Sequence, residues 1–358
     1  MPVIDAKGLA RDRMQSIREY HDEFGVPKAQ LDISGGIDSA VMTMLLVKAL
    51  GPENCIFDHT IIHTSFQQTD RARELCEALQ VPLAIGHFND IFNNVRDEVI
   101  TSLVDAHFGT DIGTEIKERM DADPTILGSI RSTLRAPIGR AYNRIMGGGI
   151  RHGTGNECED RWLRFYQKGG DGEVDTNPLA MLSKTEVYQL AFYLGNKLGI
   201  YDVVRPIIEA TPSPDLWGTG DGHSDEKELL DWLGMPFTYG RINPDTGDIM
   251  RIGTIERVSR FLDVEIPYYD VRYSSLVQVD KVLFDFTEPD WKSLEGFAVK
   301  SALWQPVPKA FVLDFLKAAR RAEAQTRHKA NPNIPMLGTR AELVKAGFLT
   351  DELPQVPE

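Results

Sequence analysis

The feature that most constrains this chain is a six-residue turn, Ser34-Gly35-Gly36-Ile37-Asp38-Ser39, between two apolar segments. Residues 29–33, before the turn, are short enough for a buried strand, and residues 39–50, after it, form a helix-favouring apolar run. Two glycines let the backbone turn tightly, and a turn that opens a helix presents successive N–H groups to an anion. The sequence therefore predicts the first unit of an α/β sheet, with an anion site at its edge.

The alternation of strand and helix continues downstream. Residues 55–62 and 81–86 are typical of strands, and residues 69–79 between them are typical of a helix. A helix-rich stretch follows from residue 90 to about residue 146, with interruptions near Gly109 and near Pro124. This order predicts a doubly wound parallel sheet flanked by helices, with ligands at the C-terminal ends of the strands.

The domain organisation is expected to be one domain with a late insertion, and two domains is the alternative. Residues 1–240 would form the nucleotide domain, and residues 241–307 an insertion of unknown role. Within that insertion, Val271–Val279 alternates like an edge strand or a hairpin. Residues 308–358 would supply a C-terminal helix and a tail that return to the same domain.

Composition disfavours some classes of partner. The chain has 39 basic and 53 acidic residues, a net charge of −14, whereas binding to a nucleic-acid backbone depends on clustered Lys and Arg. No segment approaches the roughly 18 consecutive apolar residues of a membrane span, and the first residues lack the apolar core of a signal peptide. Three cysteines without a CxxC pair indicate a reducing compartment. We therefore expect a cytoplasmic protein with neither a nucleic-acid nor a membrane partner.

The turn at residues 34–39 resembles the SGGxDS pyrophosphate loop of the N-type ATP pyrophosphatases. That superfamily includes NAD, GMP and asparagine synthetases and tRNA-thiolating enzymes. The resemblance implies the adenine nucleotide alpha-hydrolase-like fold and cleavage of ATP to AMP and pyrophosphate.

Further segments narrow the resemblance to the NAD synthetases. Residues 153–159 (GTGNECE), 165–172 (FYQKGGDG) and 175–179 (DTNPL) are similar to that family's motifs in residue type, order and spacing, and Lys184 begins a helix where family members carry a lysine. Three flanking segments agree as well: Gln68-Thr69-Asp70, the Thr211–Leu216 loop with Asp225-Glu226, and Thr326–Lys329.

The resemblance implies an ammonia-dependent NAD synthetase, a ligase that forms a C–N bond. Such an enzyme amidates deamido-NAD (nicotinic acid adenine dinucleotide) with ammonia through an acyl-adenylate, with ATP as a substrate and Mg²⁺ as the metal. It also implies a homodimer interface along residues 113–147, for which an ordinary core helix is the alternative. Ammonia would come from solution or from a separate glutaminase.

The resemblance further implies roles for individual residues. Catalysis would depend on Asp38, Lys184 and Asp171, and magnesium would be held by Asp38 and Glu159. The ATP and pyrophosphate site would comprise Ser34, Gly35, Gly36, Ile37, Asp38, Ser39, Gln68, Arg135, Thr154, Lys184, Thr211 and Ser213. The deamido-NAD site would comprise Arg131, Glu159, Lys168, Asp171, Asp175, His328 and Lys329.

One segment departs from the family pattern. Thr133 stands where the family carries an arginine that faces the nucleotide, and Arg131 or Arg140 would have to replace it. This departure and the unmatched stretch 241–308 keep open a non-catalytic nucleotide-binding relative, against which the intact Ser34–Ser39 turn and Glu159 argue. The other alternative is another ATP-pyrophosphatase amidotransferase of the GMP synthetase type, and the run from the GDG turn to Asn177-Pro178-Leu179 favours an NAD synthetase over it.

Overall fold

The protein is described from a computed structural model. It covers residues 5–107, 109–123, 125–213, 224–235, 238–251, 253, 309–329 and 334–350. Most of the expected insertion, including Val271–Val279, lies outside the described residues.

A four-stranded parallel sheet lies at the centre of the fold and confirms the predicted fold class. Its strands are β1 (Ala29–Asp32), β2 (Cys55–Ile61), β3 (Ala84–His87) and β4 (Ile150–Arg151), in the spatial order β3-β2-β1-β4. The chain moves outward from β1 to β3 and then returns to the other side of β1. Because strand order reverses beside β1, a crevice is expected at the C-terminal ends of β1 and β4.

Helices cover both faces of the sheet, as the alternating sequence pattern predicts. Those preceding β4 are α1 (Ala6–Phe24), α2 (Ile37–Leu50), α3 (Phe66–Ala78), α4 (Asn89–Ala106), α5 (Ile112–Ala122) and α6 (Thr125–Ile145). Those following it are α7 (Lys184–Leu198), α8 (Tyr201–Glu209), α9 (Asp225–Leu233), α10 (Lys309–Thr326) and α11 (Arg340–Lys345). Short 3₁₀ turns are Pro52–Asn54 and Arg327–Lys329, and Glu157–Leu163 forms a π-helical turn.

The helix after the glycine turn lies in the middle of the core. Ten of the fourteen residues of α2 are buried, because the helix is apolar on nearly all sides and packs between α1, α7 and the sheet. Leu31 and Ile33 are buried on the same side of β1. The position of the Ser34–Ser39 turn is therefore fixed by packing on both sides.

One local prediction differs from the structure, and one helix contains a proline. The third strand begins at Ala84 rather than at residue 81, because Val81 ends the turn after α3 and its N–H bonds to Cys76 O. Pro137 lies inside α6, and the helix continues through it from Thr125 to Ile145. A proline removes one N–H from a helix, and the buried residues near it, Ala136 and Gly139, keep this helix packed on the sheet.

Residues after 240 begin with a small antiparallel hairpin. Its strands are β5 (Arg241–Ile242) and β6 (Ile249–Arg251), joined through a turn that begins with Asn243-Pro244-Asp245. Ile242 is buried in the main core. No helix among the described residues is long and apolar enough to cross a membrane.

The segment 334–350 closes against the first helix and α7. Arg340 makes a buried bidentate ion pair with Glu186, with N···O distances of 2.7 and 2.8 Å. Arg13 donates to Met336 O at 3.4 Å, and Asp5 N donates to Phe348 O at 3.5 Å. The last described segment is thus packed into the same core as the first.

Candidate active site

The Ser34–Ser39 turn is pre-shaped by its own hydroxyl groups. Ser34 Oγ accepts a hydrogen bond from Gly36 N at 3.2 Å and lies 3.1 Å from Ser39 Oγ, which donates to Gly36 O at 3.0 Å. Gly36 is the N-cap of α2, and no side chain caps that helix end. The first-turn N–H groups of α2 are therefore available to an anion.

Glycine is required at position 35 for two reasons. Its φ is +80°, a left-handed value, and a Cβ added there would overlap the carbonyl oxygen of Gln68. The close approach brings the start of α3 against the turn. Gln68, expected at the ATP site, is thereby placed next to the predicted pyrophosphate loop.

Two carboxylates converge on a single buried ammonium group. Lys184 Nζ lies 2.5 Å from Asp38 Oδ2 and 2.9 Å from Glu159 Oε1, and the Lys184 side chain is only 3% exposed. Burial alone would lower the pKa of Lys184, but the charges of Asp38 and Glu159 raise it well above its usual value. Lys184 is therefore a fixed positive charge shared by two carboxylates.

Asn156 and Tyr239 hold this cluster in place. Asn156 Nδ2 donates to Asp38 Oδ1 at 3.2 Å, while Asn156 Oδ1 accepts from the backbone N–H groups of Cys158 and Glu159. The Tyr239 hydroxyl donates to Glu159 Oε1 at 3.2 Å, and its ring lies 5.1 Å from Lys184 Nζ. Asn156 thus ties the GTGN segment to the turn that carries Asp38.

A third carboxyl group lies close to the cluster. Asp225 is 9% exposed, and burial raises its pKa to about 8, with Lys184 acting in the opposite direction. It is the first residue of α9, whose N-cap is Ser224. Near neutral pH this group is therefore mostly protonated and can both donate and accept hydrogen bonds.

The turn and the charged cluster face one cavity of about 240 Å³, which we call the first cavity. Arg135 lines it and is half-buried, and its side chain has no hydrogen-bond or ion-pair partner within the described residues. Of the residues predicted for ATP, pyrophosphate or metal, those lining it are Ser34, Gly36, Ile37, Asp38, Gln68, Arg135, Thr154, Glu159, Lys184, Thr211 and Ser213. Gly35 and Ser39 belong to the same turn without lining the cavity.

A larger space of about 770 Å³, the second cavity, adjoins the first. Ser132, Phe165 and Asp171 line both cavities and mark their junction. The Phe165 ring stacks on the Trp232 ring with centroids 6.0 Å apart, and Trp232 Nε1 donates to Gln325 Oε1 at 2.9 Å. Asp171 accepts from Ser132 Oγ at 2.7 Å, so α6 fixes the carboxylate that stands at the junction.

The residues predicted for deamido-NAD are only partly brought together. Asp171 and Lys329 line the second cavity, and Lys329 Nζ donates to Tyr166 O at 2.6 Å; burial lowers the pKa of Lys329. Lys168 and His328 are exposed beside each other, with Lys168 Nζ donating to His328 O at 3.2 Å. None of the described contacts places Lys168 or His328 at either cavity.

The two arginines considered as substitutes at Thr133 are engaged elsewhere. Arg131 is 2% exposed and donates from Nε to Ile62 O at 2.9 Å. Arg140 makes a bidentate pair with Asp175 at 2.9 and 3.0 Å. Neither arginine lines the first cavity, and Arg135 does. Asp175 lies with Arg140, outside both cavities.

Sequence reasoning missed four residues that shape the site: Asn156, Tyr239, Ser132 and Trp232. Asn156 could have been found, because it lies inside the GTGN segment and an Asn before a helical turn commonly caps it. Tyr239 and Trp232 carried no usable signal, because their positions depend on packing between segments far apart in sequence.

The parallel sheet, the uncapped glycine turn at its C-terminal edge and the buried Asp–Lys–Glu cluster define the class of the protein as a nucleotide-binding α/β enzyme. The family model of NAD synthase matches residues 9–242, well over half of the 358-residue chain. The chain belongs to the NAD synthase family, a family of ligases that form C–N bonds.

Several curated relatives agree with this assignment. The NH(3)-dependent NAD(+) synthetase of Archaeoglobus fulgidus is 34% identical over 216 residues, which cover 60% of this chain and 74% of the relative. The NH(3)-dependent NAD(+) synthetase of Methanococcoides burtonii is 31% identical over 229 residues, covering 64% and 75% respectively.

Solved structures share the fold over most of the chain. The NMN synthetase of Francisella tularensis has a TM-score of 0.54 at 20% identity and covers 91% of this chain and 96% of its own. A glutamine-dependent NAD(+) synthetase from Cytophaga hutchinsonii has a TM-score of 0.55 at 11% identity and covers 91% of this chain and 50% of its own. At these identities the likeness concerns the fold alone.

Proposed function

We propose that this chain is an ammonia-dependent NAD synthetase that amidates deamido-NAD. ATP adenylates the nicotinate carboxylate and releases pyrophosphate, and ammonia then attacks the acyl-adenylate to give NAD and AMP. The observation that carries the proposal is the pair of adjoining cavities, one lined by the anion-binding turn and the other by an aromatic pair. Membership of the NAD synthase family supports the same reaction.

The first cavity suits the triphosphate of ATP. The free N–H groups at the start of α2 and the hydroxyls of Ser34 and Ser39 can hold pyrophosphate as it leaves. Arg135, which lacks an internal partner among the described residues, adds a planar charged donor for phosphate oxygens. Thr211 and Ser213 also line this cavity and offer further hydroxyl groups.

The convergence of Asp38 and Glu159 on one cation fits a magnesium site. Magnesium is commonly held by one or two carboxylates together with substrate phosphates and water. Asp38 and Glu159 already share the ammonium of Lys184, so both side chains point at one position. Magnesium bound there would neutralise phosphate charge, and Lys184 would then be free to face the same phosphates.

The second cavity suits the acceptor substrate. Phe165 and Trp232 offer flat apolar surface to a pyridine ring, and Lys329 supplies a positive charge near the same wall. A carboxylate at the junction would meet the α-phosphorus of ATP beside Ser132 and Asp171. Holding the two reactants in line in a site with little water is the main contribution expected of the protein. Lys168, Asp175 and His328 remain candidates for contacts with the rest of the dinucleotide.

An exposed apolar stripe supports the proposed homodimer. Ile91, Val95, Val99 and Leu103 recur every four residues on α4 and are 37 to 49% exposed. The predicted interface, residues 113–147, covers α5 and α6, and α4 packs against both of these helices. Sedimentation velocity at micromolar concentration tests the dimer, and a stable monomer there contradicts it.

We also propose a cytoplasmic enzyme that takes ammonia from solution or from a separate glutaminase. All three cysteines are buried thiols that form no disulfide among the described residues, which supports a reducing compartment.

The decisive experiment incubates the purified chain with deamido-NAD, ATP, Mg²⁺ and ammonium, and follows NAD, AMP and pyrophosphate together. Equal amounts of the three products are expected. Parallel reactions replace deamido-NAD by nicotinic acid mononucleotide or by xanthosine monophosphate. Amidation of either alternative without NAD formation would contradict the proposed acceptor, and no pyrophosphate with any acceptor would favour a non-catalytic relative.

A further inference from the structure

The carboxyl group of Asp225 is buried at the first cavity without a partner. The residue is 9% exposed and lines that cavity. No residue in the described part of the chain makes a hydrogen bond or an ion pair with this carboxyl group. Most buried polar groups in folded proteins are paired, and an unpaired one is costly. A ligand that donates hydrogen bonds would therefore complete the surroundings of Asp225.

The other carboxyl groups at the first cavity differ from Asp225 in this respect. The two carboxylates of the buried Asp–Lys–Glu cluster share Lys184. Asp171 accepts a hydrogen bond from Ser132 Oγ at 2.7 Å. Asp32, at the end of β1, is half-buried and within reach of water. Asp225 alone among these described residues combines deep burial with the lack of a partner.

The helix that begins at Asp225 runs from the first cavity to the second. Asp225 is the first residue of α9, and Glu228 and Trp232, one and two turns later, line the second cavity. Residues at these spacings lie on one face of a helix. This face of α9 therefore passes the junction of the two cavities, where the acyl-adenylate is proposed to form and where the nitrogen has to arrive.

The charges around Asp225 favour a small cation. Burial raises the pKa of Asp225 to about 8; the charge of Lys184 opposes this shift, and the charges of Glu159 and Glu228 add to it. The charged residues that line the second cavity are Asp123, Asp171, Glu228 and Asp231 against Arg164 and Lys329. A cleft with an excess of one charge concentrates ions of the opposite sign. A cation held beside Asp225 would in turn favour its ionised form.

Ammonium suits this position better than a metal ion. Asp38 and Glu159 already provide the two carboxylates that magnesium commonly uses. No group of three or more Asp, Glu, His or Cys side chains suited to a metal ion occurs within the described ranges. Ammonium binds through its N–H groups, which carboxylates accept in short charge-assisted hydrogen bonds. It is also the main form of ammonia in neutral water.

We propose that Asp225 and Glu228 bind the ammonium ion that supplies the amide nitrogen. Asp225 accepts one proton from the bound ion, and the resulting ammonia attacks the carbonyl carbon of the acyl-adenylate. The C–N bond forms, the C–O bond to the phosphate breaks, and AMP leaves with the electron pair. The second proton passes from nitrogen to a phosphate oxygen of AMP. This assignment rests on the proposed function, because it assumes that an acyl-adenylate forms at the junction.

The test separates the two halves of the reaction. Adenylation is followed without ammonium, as exchange of labelled pyrophosphate into ATP in the presence of deamido-NAD, and amidation is followed as NAD formation at increasing ammonium concentration. In Asp225→Asn, which keeps the size of the side chain and removes its charge, the KM for ammonium should rise about tenfold, because a charge-assisted hydrogen bond is lost. Pyrophosphate exchange and the KM for ATP should stay close to their native values.

A second nucleophile tests the role of the charge. Hydroxylamine is uncharged at neutral pH, so it needs neither a cation site nor the removal of a first proton. Asp225→Asn should therefore lower kcat/KM for ammonium about tenfold relative to kcat/KM for hydroxylamine. Glu228→Gln should have a smaller effect in the same direction. Asp202→Asn removes an exposed first-turn carboxylate of α8 and, as the matched control, should change neither value.

A native KM for ammonium in Asp225→Asn overturns the site, and so does an equal loss with both nucleophiles. Reduced pyrophosphate exchange would place Asp225 in adenylation, and an altered Mg²⁺ requirement of that exchange would make it a metal ligand; either result overturns the assignment. Thermal melting shows whether each variant folds, and Glu228→Gln provides the same comparison if Asp225→Asn does not. Failure of the proposed function is a separate result, because the native chain would then show no pyrophosphate exchange with deamido-NAD.

Discussion

The two adjoining cavities are built in different ways. The first, of about 240 Å³, is lined by the ends of β1, β2 and β4 and by charged side chains already paired with one another. The second, of about 770 Å³, is lined by the start of α6, the 164–171 loop, α9 and the end of α10, with an aromatic pair on its wall. One cavity belongs to the sheet, and the other depends on segments that meet only in the folded chain.

This difference suits the first cavity to the chemical step and the second to recognition of the acceptor. Groups that stabilise developing charge need a fixed geometry, and strand ends inside a packed core provide it. Recognition of an aromatic acceptor depends on shape, which loops and peripheral helices can adjust. Changes in the first cavity should therefore act on turnover, and changes in the second on acceptor affinity.

The largest expected effect comes from removing Asp38. In Asp38→Ala, Lys184 loses its partner at 2.5 Å and the proposed magnesium site loses a ligand. We expect NAD formation to fall by about a thousandfold or more, with the melting temperature close to that of the native chain. Steady-state assays and melting curves measure the two quantities. Native-like turnover would remove Asp38 from the reaction.

Replacing Lys184 tests the role of the positive charge in the first cavity. Lys184→Met keeps an unbranched side chain that is one atom shorter, but leaves Asp38 and Glu159 without their shared cation. We expect turnover to fall by about a hundredfold with little change in KM for deamido-NAD. Lys197→Met, an exposed position on the same helix, is the matched control. An effect on KM alone would contradict the assignment of turnover to the first cavity and of acceptor affinity to the second.

The second cavity is tested at Trp232. Trp232→Ala removes the ring that stacks on Phe165 and should raise KM for deamido-NAD about tenfold, because an aromatic contact is lost. The KM for ATP should stay the same. Leu230→Ala, exposed on the same helix, serves as the control. A Trp232 variant with altered ATP affinity and unaltered acceptor affinity would reverse the assignment of the two cavities.

The smallest expected effect concerns stability beneath the first cavity. Burial, with Asp32 acting in the same direction, raises the pKa of Asp58 to about 8. The folded protein therefore binds this proton more tightly than the unfolded chain. The resulting stabilisation is complete below an unfolded pKa of about 4 and is lost as pH rises toward 8.

Asp58→Asn should remove this pH dependence, because the amide does not titrate. Between pH 6 and pH 7, the free energy of unfolding of the native chain should fall relative to the variant by about 1 kcal/mol. Urea unfolding at several pH values measures the difference. Parallel stability curves for the two proteins would show that Asp58 does not retain its proton.

The sequence predicted the first cavity far better than the second. The turn at Ser34, the strand before it and the helix after it are consecutive in sequence, so one short stretch of residues predicts all three. Glu159 and Lys184 could be predicted because they lie within matching family segments, although their shared contact with Asp38 could not. Trp232 and Gln325 are 93 residues apart, and no local pattern predicts that pairing.

Arg131 illustrates a second limit. A basic residue near a matching motif was expected to face the dinucleotide, yet it is buried and donates to the carbonyl of Ile62. Arg135, four residues later, lies one helical turn away and lines the first cavity. Which of two arginines faces a ligand depends on how the helix is rotated against the sheet, and that rotation is set by packing.

The closure of residues 334–350 onto α1 and α7 has a consequence for biosynthesis. Glu186 meets Arg340, and Asn177 N and the Thr176 hydroxyl both donate to Pro335 O, at 3.0 and 2.7 Å. Residues 335 and 340 are synthesised about 150 residues after the elements that they contact, whereas domains tend to fold from the N-terminus during synthesis. The loop that carries Asp171 should therefore reach its final form only after translation has passed residue 340, so a stalled nascent chain would carry the phosphate turn without a finished acceptor cavity.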